Sequence, residues 1–453
     1  DHPYHGVRRP LCERVAEVAR ALPSLTALVP LTDEALGDGL AALEGLPLQP
    51  PLPPGEPGEP FAPQRFPFNH PLFILFSSGT TGPPKCIVHG AGGTLLEHHK
   101  EHRLHSDLRP GDKLFFQTSC GWMMWNWLLS ALACRAEIVL YDGSVSYPDE
   151  DALWRLCAEE RVTHFGTSPA FLQYTRDAAI VPRERFNLSS LRAVLSTGSI
   201  LPAPLYDFVA TAVADVPLQS ISGGTDIIGC FVLGYPDLPV YAGESQSLSL
   251  GLDVRAMPPG HFGELTCHNP FPSRPLGLYG DADGRRFHDA YFSQHEGVWT
   301  HGDFLELTPR GGARILGRSD GVMNIRGIRI GPAEIYQALE AVPEIAASLA
   351  IEQQKPDEPG GSRLVLLVVL SSGKTLDRPL TLRIKRELSQ RLSLVHVPSV
   401  IAQVTALPTT HSGKRSERAA RDALNGREVA NLAALRNPES LDELRQHPAL
   451  QVP

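Results

Sequence analysis

The stretch SSGTTGPPK at 77–85 combines two glycines, four hydroxyl side chains and a lysine behind an apolar run, FILF. Glycine lets the backbone approach a ligand closely, so successive amides can point inward as an anion-binding nest, and hydroxyls add donors. Such a loop suits phosphate. It is not the kinase-type loop, because Cys86 instead of Ser or Thr follows Lys85 and the next residues are strand-like. A Gly/Pro-rich hairpin connection is the alternative interpretation.

Further polar and charged residues that could bind a ligand lie in turns downstream. Thr225 and Asp226 end the stretch SGGTD, where a carboxylate is a sensible oxygen ligand for Mg²⁺ bridging phosphates and a helix N-cap is the alternative. Asp303 lies in HGD, either as a reader of a vicinal diol or as part of an ordinary turn. Lys414 follows Gly413 in LPTTHSGKRSER, where an exposed basic turn is the usual interpretation of a single lysine.

Two stretches together indicate a family. SSGTTGPPK closely resembles the phosphate loop of the acyl-adenylate-forming family, which includes acyl-CoA synthetases, luciferases and nonribosomal adenylation domains. ILGRSDGVMNIRGIRIGPAEIYQAL, at 315–339, resembles the hinge motif of the same family. The resemblance extends from about residue 73 to residue 418 and implies ATP, Mg²⁺ and CoA as the small molecules that the protein uses.

The resemblance also implies a role for each motif. The nucleotide residues are Ser77, Ser78, Gly79, Thr80, Thr81, Gly82 and Lys85 at the phosphates, Gly198 and Ser199 at adenine, Asp303 at the ribose, and Arg318 and Arg329 at the nucleotide and its phosphates. For catalysis it implies Lys414 at the carboxylate and α-phosphate during adenylation, with Thr225 and Asp226 at the phosphates and Mg²⁺. Asp320 is expected to be the hinge, and Gly327 to lie close to the thioester reaction.

The acid follows from the same resemblance. The stretches CIVHGAGGTLLEHHKEHRLHSDLRPGD, CGWMMWNW and SISGGTDI are similar to the acetoacetate-activating branch of the family, which implies a ligase that joins acetoacetate to CoA through an acyl adenylate. Trp122 is the candidate for the acyl pocket, and core packing accounts for Trp125 and Trp127. Gly223 stands where acetyl-CoA synthetases have a tryptophan, so we expect it to leave room for a longer acyl group. A CoA ligase for another short-chain acid is the alternative.

Strands that alternate with helices predict an α/β fold with a largely parallel sheet. The resemblance implies an acyl-adenylate-forming fold with a large domain, 1–319, and a small mobile C-terminal α/β domain, 320–453. The large domain has its sheet region to about residue 230 and a β-barrel-like subdomain over 231–319, where Gly/Pro turns separate short strands. In the small domain we predict helices at 332–341 and 379–392 and strands at 363–370 and 399–405. We expect the large domain to be incomplete at its N-terminus, with apolar surface exposed.

The composition bounds the class of protein. With 453 residues, of which 42% are hydrophobic and 20% charged, the chain can bury two or more cores. The run LVLLVVL at 364–370 is too short to cross a bilayer and indicates a buried strand. A net charge of −9 gives no basic footprint for nucleic acid. Seven cysteines without a CxxC pair argue against a zinc site and a disulfide framework and favour a reducing cytoplasm.

Other motifs leave alternatives open. The histidines at 98, 102 and 105 share a helix face, where a packing or solvated role is favoured over metal binding. The GAGG turn imitates a dinucleotide fingerprint but lacks the acidic ribose ligand. The tail after Arg418 contains no carrier, which disfavours a carrier-loading adenylation domain. A truncated nucleotide-binding fragment without turnover is the main rival hypothesis.

Overall fold

A computed structural model describes residues 2–30, 41–50, 62–77, 85–321, 323–325, 328–354, 362–411, 413–429 and 432–451. The chain begins with a two-stranded hairpin, β1 (His2–Tyr4) and β2 (Val7–Arg9), and helix α1 (Cys12–Ala21). The helical spacing of Cys12, Ala16 and Ala19 buries one face of α1. No helix within the described ranges is long and apolar enough to cross a membrane.

The FILF run forms a strand, as predicted. β3 (Pro71–Phe76) pairs antiparallel with β4 (Cys86–Gly90), so the two strands flank the stretch predicted to bind phosphate. Helix α2 (Ala91–Lys100) follows β4 directly and continues into a π-helical turn at Glu101–His105. Both β3 and α2 carry exposed apolar side chains, of which Phe76 is 66% exposed. The expectation that the large domain is incomplete at its N-terminus stays a prediction.

Helices and strands alternate through the next part of the chain, as predicted. The elements are β5 (Lys113–Phe116), α3 (Met123–Ser130), β6 (Glu137–Val139), α4 (Ala152–Glu159), β7 (His164–Thr167), α5 (Pro169–Asp177), α6 (Pro182–Arg185), β8 (Ala193–Ser196), α7 (Pro204–Phe208) and β9 (Leu218–Ser220). The five strands are parallel, in the order β6-β5-β7-β8-β9. Every residue of β7 and β8 is buried, as expected of central strands in a sheet covered on both faces.

Short antiparallel strands dominate the part that follows, where the sequence predicted a β-rich region. The elements are β10 (Ser222–Gly224), β11 (Gly229–Leu233), β12 (Ser247–Leu248), β13 (Val254–Met257), β14 (Phe262–Cys267), β15 (Gly277–Leu278), α8 (Arg285–Tyr291), β16 (Trp299–Leu307) and β17 (Ala313–Arg318). They form a β10-β11-β12 sheet and a β13-β14-β16-β17 sheet, while β15 pairs with β4. Leu305, Phe231 and Trp299 lie in the core between these sheets.

The C-terminal part has its own core. Its elements are β18 (Met323–Ile325), β19 (Ile328–Ile330), α9 (Pro332–Leu339), β20 (Ile345–Gln354), β21 (Ser362–Leu370), α10 (Arg378–Arg391), β22 (Val400–Gln403), α11 (Glu417–Leu424) and α12 (Ser440–Gln446). The four predicted elements α9, β21, α10 and β22 are confirmed within a few residues. β20 and β21 pair antiparallel, β21 and β22 parallel. The division of the chain at residue 320 stays a prediction.

Candidate active site

The carboxyl ends of the parallel strands carry the first of the predicted site residues. Gly198 and Ser199 follow β8, and Gly198 has φ +100°, a left-handed conformation that glycine adopts without strain. Thr225 and Asp226 lie in the turn between β10 and β11, just after β9. The edge where ligands gather in such sheets therefore presents both motifs.

Lys85 and Asp226 form an ion pair, with 2.7 Å between Nζ and Oδ1. The phosphate stretch is closed at its base by two hydrogen bonds: the Ser77 N–H donates to the Lys85 carbonyl (3.1 Å), and the Lys85 N–H donates to Ser77 Oγ (3.0 Å). Residues 78–84 lie outside the described residues. The predicted roles of the rest of that loop, Ser78, Gly79, Thr80, Thr81 and Gly82, therefore stay predictions.

Asp226 has three polar neighbours, Lys85, Tyr291 and His301. The Tyr291 hydroxyl donates to the same Oδ1 at 2.6 Å, and Lys85 Nζ lies 4.5 Å from the centre of the Tyr291 ring. Burial by itself would raise the pKa of Asp226, but the Lys85 ammonium and His301 hold that pKa well below its usual range. Burial and the neighbouring carboxylate raise the pKa of Tyr291, so its hydroxyl stays a donor. Asp226 is thus a fixed negative charge at the edge of the sheet.

Asp303 and Arg318 face each other on neighbouring strands. They are paired positions of β16 and β17, and Arg318 Nη1 lies 3.1 Å from Asp303 Oδ1. His301 Nε2 lies 3.6 Å from Asp303 Oδ2, and burial lowers the pKa of His301. Gly302 has φ +87°, a left-handed conformation that glycine adopts without strain. The predicted ribose and nucleotide residues therefore lie together.

Lys414 joins this group although it belongs to the C-terminal part of the chain. Its side chain is accessible to water, and protein groups around the ammonium partly desolvate it. This partial burial lowers the pKa of Lys414, Asp303 and Asp226 raise it, and Arg318 lowers it, with a net lowering. Asp226, Asp303 and Arg318 therefore lie near enough to Lys414 for their charges to influence its pKa, and the catalytic role of Lys414 stays a prediction.

The turn that carries Lys414 is built rigidly. The Thr410 N–H donates to the Lys414 carbonyl (2.8 Å), the Lys414 N–H donates to Thr410 Oγ1 (3.1 Å), and Gly413 has φ +79°. Next to it, the Arg415 guanidinium lies 4.6 Å from the centre of the Tyr336 ring. Tyr336 belongs to α9, so this helix supports the lysine turn.

Trp122 lies beside the adenine turn. It precedes α3 and is partly buried, and a Cβ at Gly198 would lie 3.6 Å from its ring. This position is compatible with the acyl pocket predicted for Trp122, which stays a prediction. Trp127 is 2% exposed and Trp125 packs partly buried against the same core, as expected of core residues.

The expectation for Gly223 needs a correction. A Cβ at this position would overlap the carbonyl oxygen of Gly229 and lie 2.5 Å from Cys230 Cα. The side-chain direction therefore points into the backbone of β11 and not into open space. Glycine is required here because β10 and β11 approach closely at a bulge, so the argument that it enlarges an acyl pocket does not hold in this structure.

Several predicted residues cannot be compared with the structure. Gly327 lies outside the described residues, and the side chains of Asp320 and Arg329 are not described. Their roles stay predictions.

Two residues of the site could not be foreseen from the sequence: Tyr291, which contacts Asp226, and His301, which contacts Asp303. Tyr291 ends a short, ordinary helix and gave no signal, whereas His301 stands two residues before Asp303 in the HGD stretch that was recognised.

The described residues contain no cluster of three or more His, Cys, Asp or Glu side chains that could hold a metal by themselves. The histidines of α2 and of the π-helical turn that follows it are packed instead. His98, His102 and His105 are fully buried, and each contacts a backbone carbonyl, of Ile228, Trp127 and Gly234 respectively. The predicted packing role is confirmed for all three.

The arrangement of this site can be compared with known proteins. Residues 9–267 match the family described as AMP-binding enzyme, which is more than half of the chain. The chain belongs to the AMP-binding enzyme family. The family resemblance inferred from the two motifs is thereby confirmed.

Relatives of this AMP-binding enzyme are similar over most of its length. The acetoacetyl-coenzyme A synthetase of Rhizobium meliloti (strain 1021) is 46% identical over 458 residues, covering 97% of this chain and 68% of the relative. The acetoacetyl-CoA synthetase of Mus musculus is 44% identical over 396 residues, covering 86% of this chain and 59% of the relative. The chain thus spans between 59% and 68% of the length of these two curated relatives.

Solved structures agree on the fold of the AMP-binding enzyme. The acetoacetyl-CoA synthetase from Streptomyces lividans has a TM-score of 0.87 at 39% identity and covers 98% of this chain and 68% of that chain. ATP-bound MatB from Rhodopseudomonas palustris has a TM-score of 0.70 at 19% identity, covering 93% of this chain and 82% of that chain. The second likeness shows the fold alone. The acyl-adenylate-forming α/β fold expected from the sequence is confirmed.

Proposed function

We propose that the protein is an AMP-forming acid–thiol ligase that joins acetoacetate to CoA with ATP. The observation that carries this proposal is the 2.7 Å ion pair between Lys85 and Asp226, which joins the end of the predicted phosphate loop to the predicted Mg²⁺ ligand, with Lys414 near enough to Asp226 for that charge to raise its pKa. The choice of acid is supported by the similarity to proteins named acetoacetyl-CoA synthetase. Seven free cysteines accord with a reducing, cytoplasmic setting.

In the first half-reaction, a carboxylate oxygen of the acid attacks the α-phosphorus of ATP and pyrophosphate leaves, which produces an acyl adenylate. A free carboxylate is a poor electrophile, and this step converts it into a mixed anhydride. No residue acts as a covalent nucleophile. Lys414 is the candidate that stabilises the charge at the α-phosphorus, and the donors of the 77–85 loop hold the other phosphates.

The remaining residues orient the nucleotide. Asp303 accepts hydrogen bonds from the ribose hydroxyls, and Arg318 lies at the same end of the two strands. The adenine is expected at Gly198 and Ser199, in the turn after β8. These contacts hold the α-phosphorus within reach of both the acid and Lys414.

The donor set at Asp226 fits a magnesium ion that ATP brings with it. Mg²⁺ is held by one or two carboxylates together with substrate phosphates, so a single aspartate suffices. Lys85 and Tyr291 both contact Oδ1, and in the described part of the chain Oδ2 accepts no hydrogen bond. Asp226 and the Thr225 hydroxyl would hold the ion, which when bound neutralises charge on the phosphates.

In the second half-reaction, the thiol of CoA attacks the carbonyl carbon of the adenylate, a thioester forms and AMP leaves. We propose that the small C-terminal domain rotates about Asp320 between the two steps, which removes Lys414 and brings Gly327 towards the thioester. The acyl group is expected next to Trp122. Trp122→Ala is expected to raise the KM for the acid by about tenfold while the KM for ATP changes little.

The test is pyrophosphate release by the 453-residue chain with Mg·ATP and CoA. The panel of acids is acetate, propionate, butyrate, acetoacetate and 3-hydroxybutyrate. Selective turnover of acetoacetate is the expected result. Turnover of another acid would replace the substrate but keep the ligase class.

A second candidate function is nucleotide binding without turnover. It is favoured by the exposed apolar side chains of β3 and α2, which lie on both sides of the predicted phosphate loop in the chain. ATP binding measured by calorimetry, together with no pyrophosphate release for any acid of the panel, would establish this candidate and reject the ligase.

A further inference from the structure

The segment between His89 and Glu101, to which the proposed function gives no role, contacts the backbone on both sides of Asp226. His89 Nε2 donates to the Thr225 carbonyl at 2.9 Å, and His98 Nε2 donates to the Ile228 carbonyl at 2.6 Å. The Cys230 N–H donates to Glu101 Oε1 at 2.6 Å. All three side chains are at most 1% exposed. Strand β4, helix α2 and the π-helical turn after α2 therefore each donate or accept one hydrogen bond along the six consecutive residues 225–230.

The proton positions in these bonds are determined by chemistry. A carbonyl oxygen only accepts, so the Nε2 atoms of His89 and His98 must each carry a hydrogen. Burial lowers the pKa of the His98 imidazole to about 4, so near neutral pH this ring is uncharged and carries its single proton at Nε2.

The turn that these bonds hold is strained. Ile228 has φ +46°, a left-handed conformation that is rare for a β-branched residue. The internal hydrogen bonds of the turn are long, 3.2 Å from the Ile227 N–H to the Gly224 carbonyl and 3.3 Å from the Ile228 N–H to the Thr225 carbonyl. The turn does not prefer this shape by itself, so the surrounding structure must impose it.

Gly229 explains how the helix comes so close. A Cβ at Gly229 would lie 2.8 Å from Glu97 Cγ and 3.1 Å from Glu101 Oε1. The absence of a side chain at Gly229 leaves room for the Glu97 and Glu101 side chains beside the backbone that follows the strained residue. The short His98 bond forms at the strained residue itself, on the carbonyl of Ile228.

We infer that His98, supported by His89 and Glu101, is a positioning residue that locks the turn at 225–228 and so fixes the Asp226 carboxylate beside Lys85. The locking of the turn follows from the contacts alone. Its effect on Mg²⁺ and on the phosphates rests on the proposed function. His98 touches no substrate in this account and acts only through the turn.

The variants that test this inference differ in whether the side chain at position 98 can donate a hydrogen bond to the Ile228 carbonyl. His98→Gln keeps an amide donor near the Nε2 position, whereas His98→Met fills a similar volume without a donor. His102→Met is the matched control, because His102 is equally buried on the same helix but donates to the Trp127 carbonyl in α3. If His98→Met does not fold, His98→Asn replaces it, since its shorter amide can keep the Ser130 contact at Nδ1 without reaching Ile228.

The first measurement is backbone amide hydrogen exchange of the peptide that contains residues 224–230, without any ligand. His98→Met, or His98→Asn, is expected to speed exchange at Ile227 and Ile228 by about fivefold or more, because a lost hydrogen bond no longer opposes opening of the strained turn. His98→Gln is expected to restore slow exchange, and His102→Met to leave it unchanged. Equal rates in the His98→Met and His102→Met variants would overturn the inference.

The second measurement is acetoacetate-dependent exchange between pyrophosphate and ATP at increasing Mg²⁺. His98→Met is expected to raise the half-saturating Mg²⁺ concentration about fivefold, while His98→Gln and His102→Met are expected to match the unsubstituted chain. An unchanged Mg²⁺ requirement in an active His98→Met protein would overturn the positioning role. Absence of activity in the unsubstituted chain would reject the proposed function, and hydrogen exchange would still decide whether His98 locks the turn.

Discussion

Lys85 and Asp226, 141 residues apart in the chain, are held at 2.7 Å between Nζ and Oδ1. This ion pair ties the end of the predicted phosphate loop to the turn that is expected to hold Mg²⁺. The ammonium of Lys85 therefore lies where the phosphates of ATP are expected to bind.

Asp226→Asn removes the negative charge but keeps the size of the side chain. We expect pyrophosphate–ATP exchange to fall by about 10²-fold, because a fixed charge at the phosphates is lost. Tyr291→Phe is the graded comparison, since it keeps the carboxylate and removes only the hydroxyl that donates to Oδ1, and a loss of about tenfold is expected. Normal exchange by Asp226→Asn would contradict the role given to this aspartate.

Lys414→Ala is expected to slow formation of the adenylate by at least about 10²-fold. Thiolysis of adenylate supplied from outside should be spared, because Lys414 is proposed to act only at the α-phosphorus. Lys374→Ala, at an exposed lysine of the same C-terminal part, serves as the control and should change neither step. Equal losses in both half-reactions of the Lys414 variant would show that this lysine has a different role.

Glu101 is expected to make stability depend on pH. Burial and the neighbouring Glu97 raise its pKa from 4.5 to about 8, so the folded protein holds a proton that the unfolded chain releases. The stabilisation is therefore present below the ordinary pKa of glutamate and is lost as pH rises towards 8. The difference in the free energy of unfolding between the unsubstituted chain and Glu101→Gln should shrink over this range, by on the order of 1 kcal/mol or more. Urea unfolding at several pH values measures this difference, and a constant value would contradict the raised pKa.

Gly223→Ala is expected to destabilise the protein by about 1–3 kcal/mol, because its Cβ would collide with the backbone of Gly229 and Cys230. The preference among acids should remain the same in whatever folded protein is recovered. Gly251→Ala is a useful comparison, since nothing lies within 4 Å of a Cβ there and only its φ of +82° opposes the substitution. A folded Gly223→Ala protein with a changed acid preference would return Gly223 to the acyl site.

Much of the site could be predicted from sequence because each motif contains its own local chemistry. Glycines and hydroxyls at 77–85, the acidic residues in SGGTD and HGD, and the lysine after Gly413 are recognisable from residue types within a few positions. The parallel sheet and the four C-terminal elements also followed from short-range hydrophobic patterns, which depend on neighbours along the chain.

The partners of these residues were decided only by the tertiary structure. Tyr291 ends an ordinary helix, and its contact with Asp226 exists because α8 packs near the β10–β11 turn. Gly223 was misinterpreted for the same reason, since the direction of a missing side chain depends on where β11 lies. The sequence predicted a packing role for the histidines of α2 and of the π-helical turn after it, but it did not indicate which backbone carbonyls they bind.

The sequence by itself therefore determined the family, the motifs and the chemistry that each motif can perform, because residue types fix which atoms can donate, accept or carry charge. The tertiary structure decided which motifs meet and which way each one faces. Residues such as Lys85, Asp226 and Lys414 are separated by more than a hundred positions in the chain. The distances between them are set by the packing of whole sheets and helices, which no local sequence pattern contains.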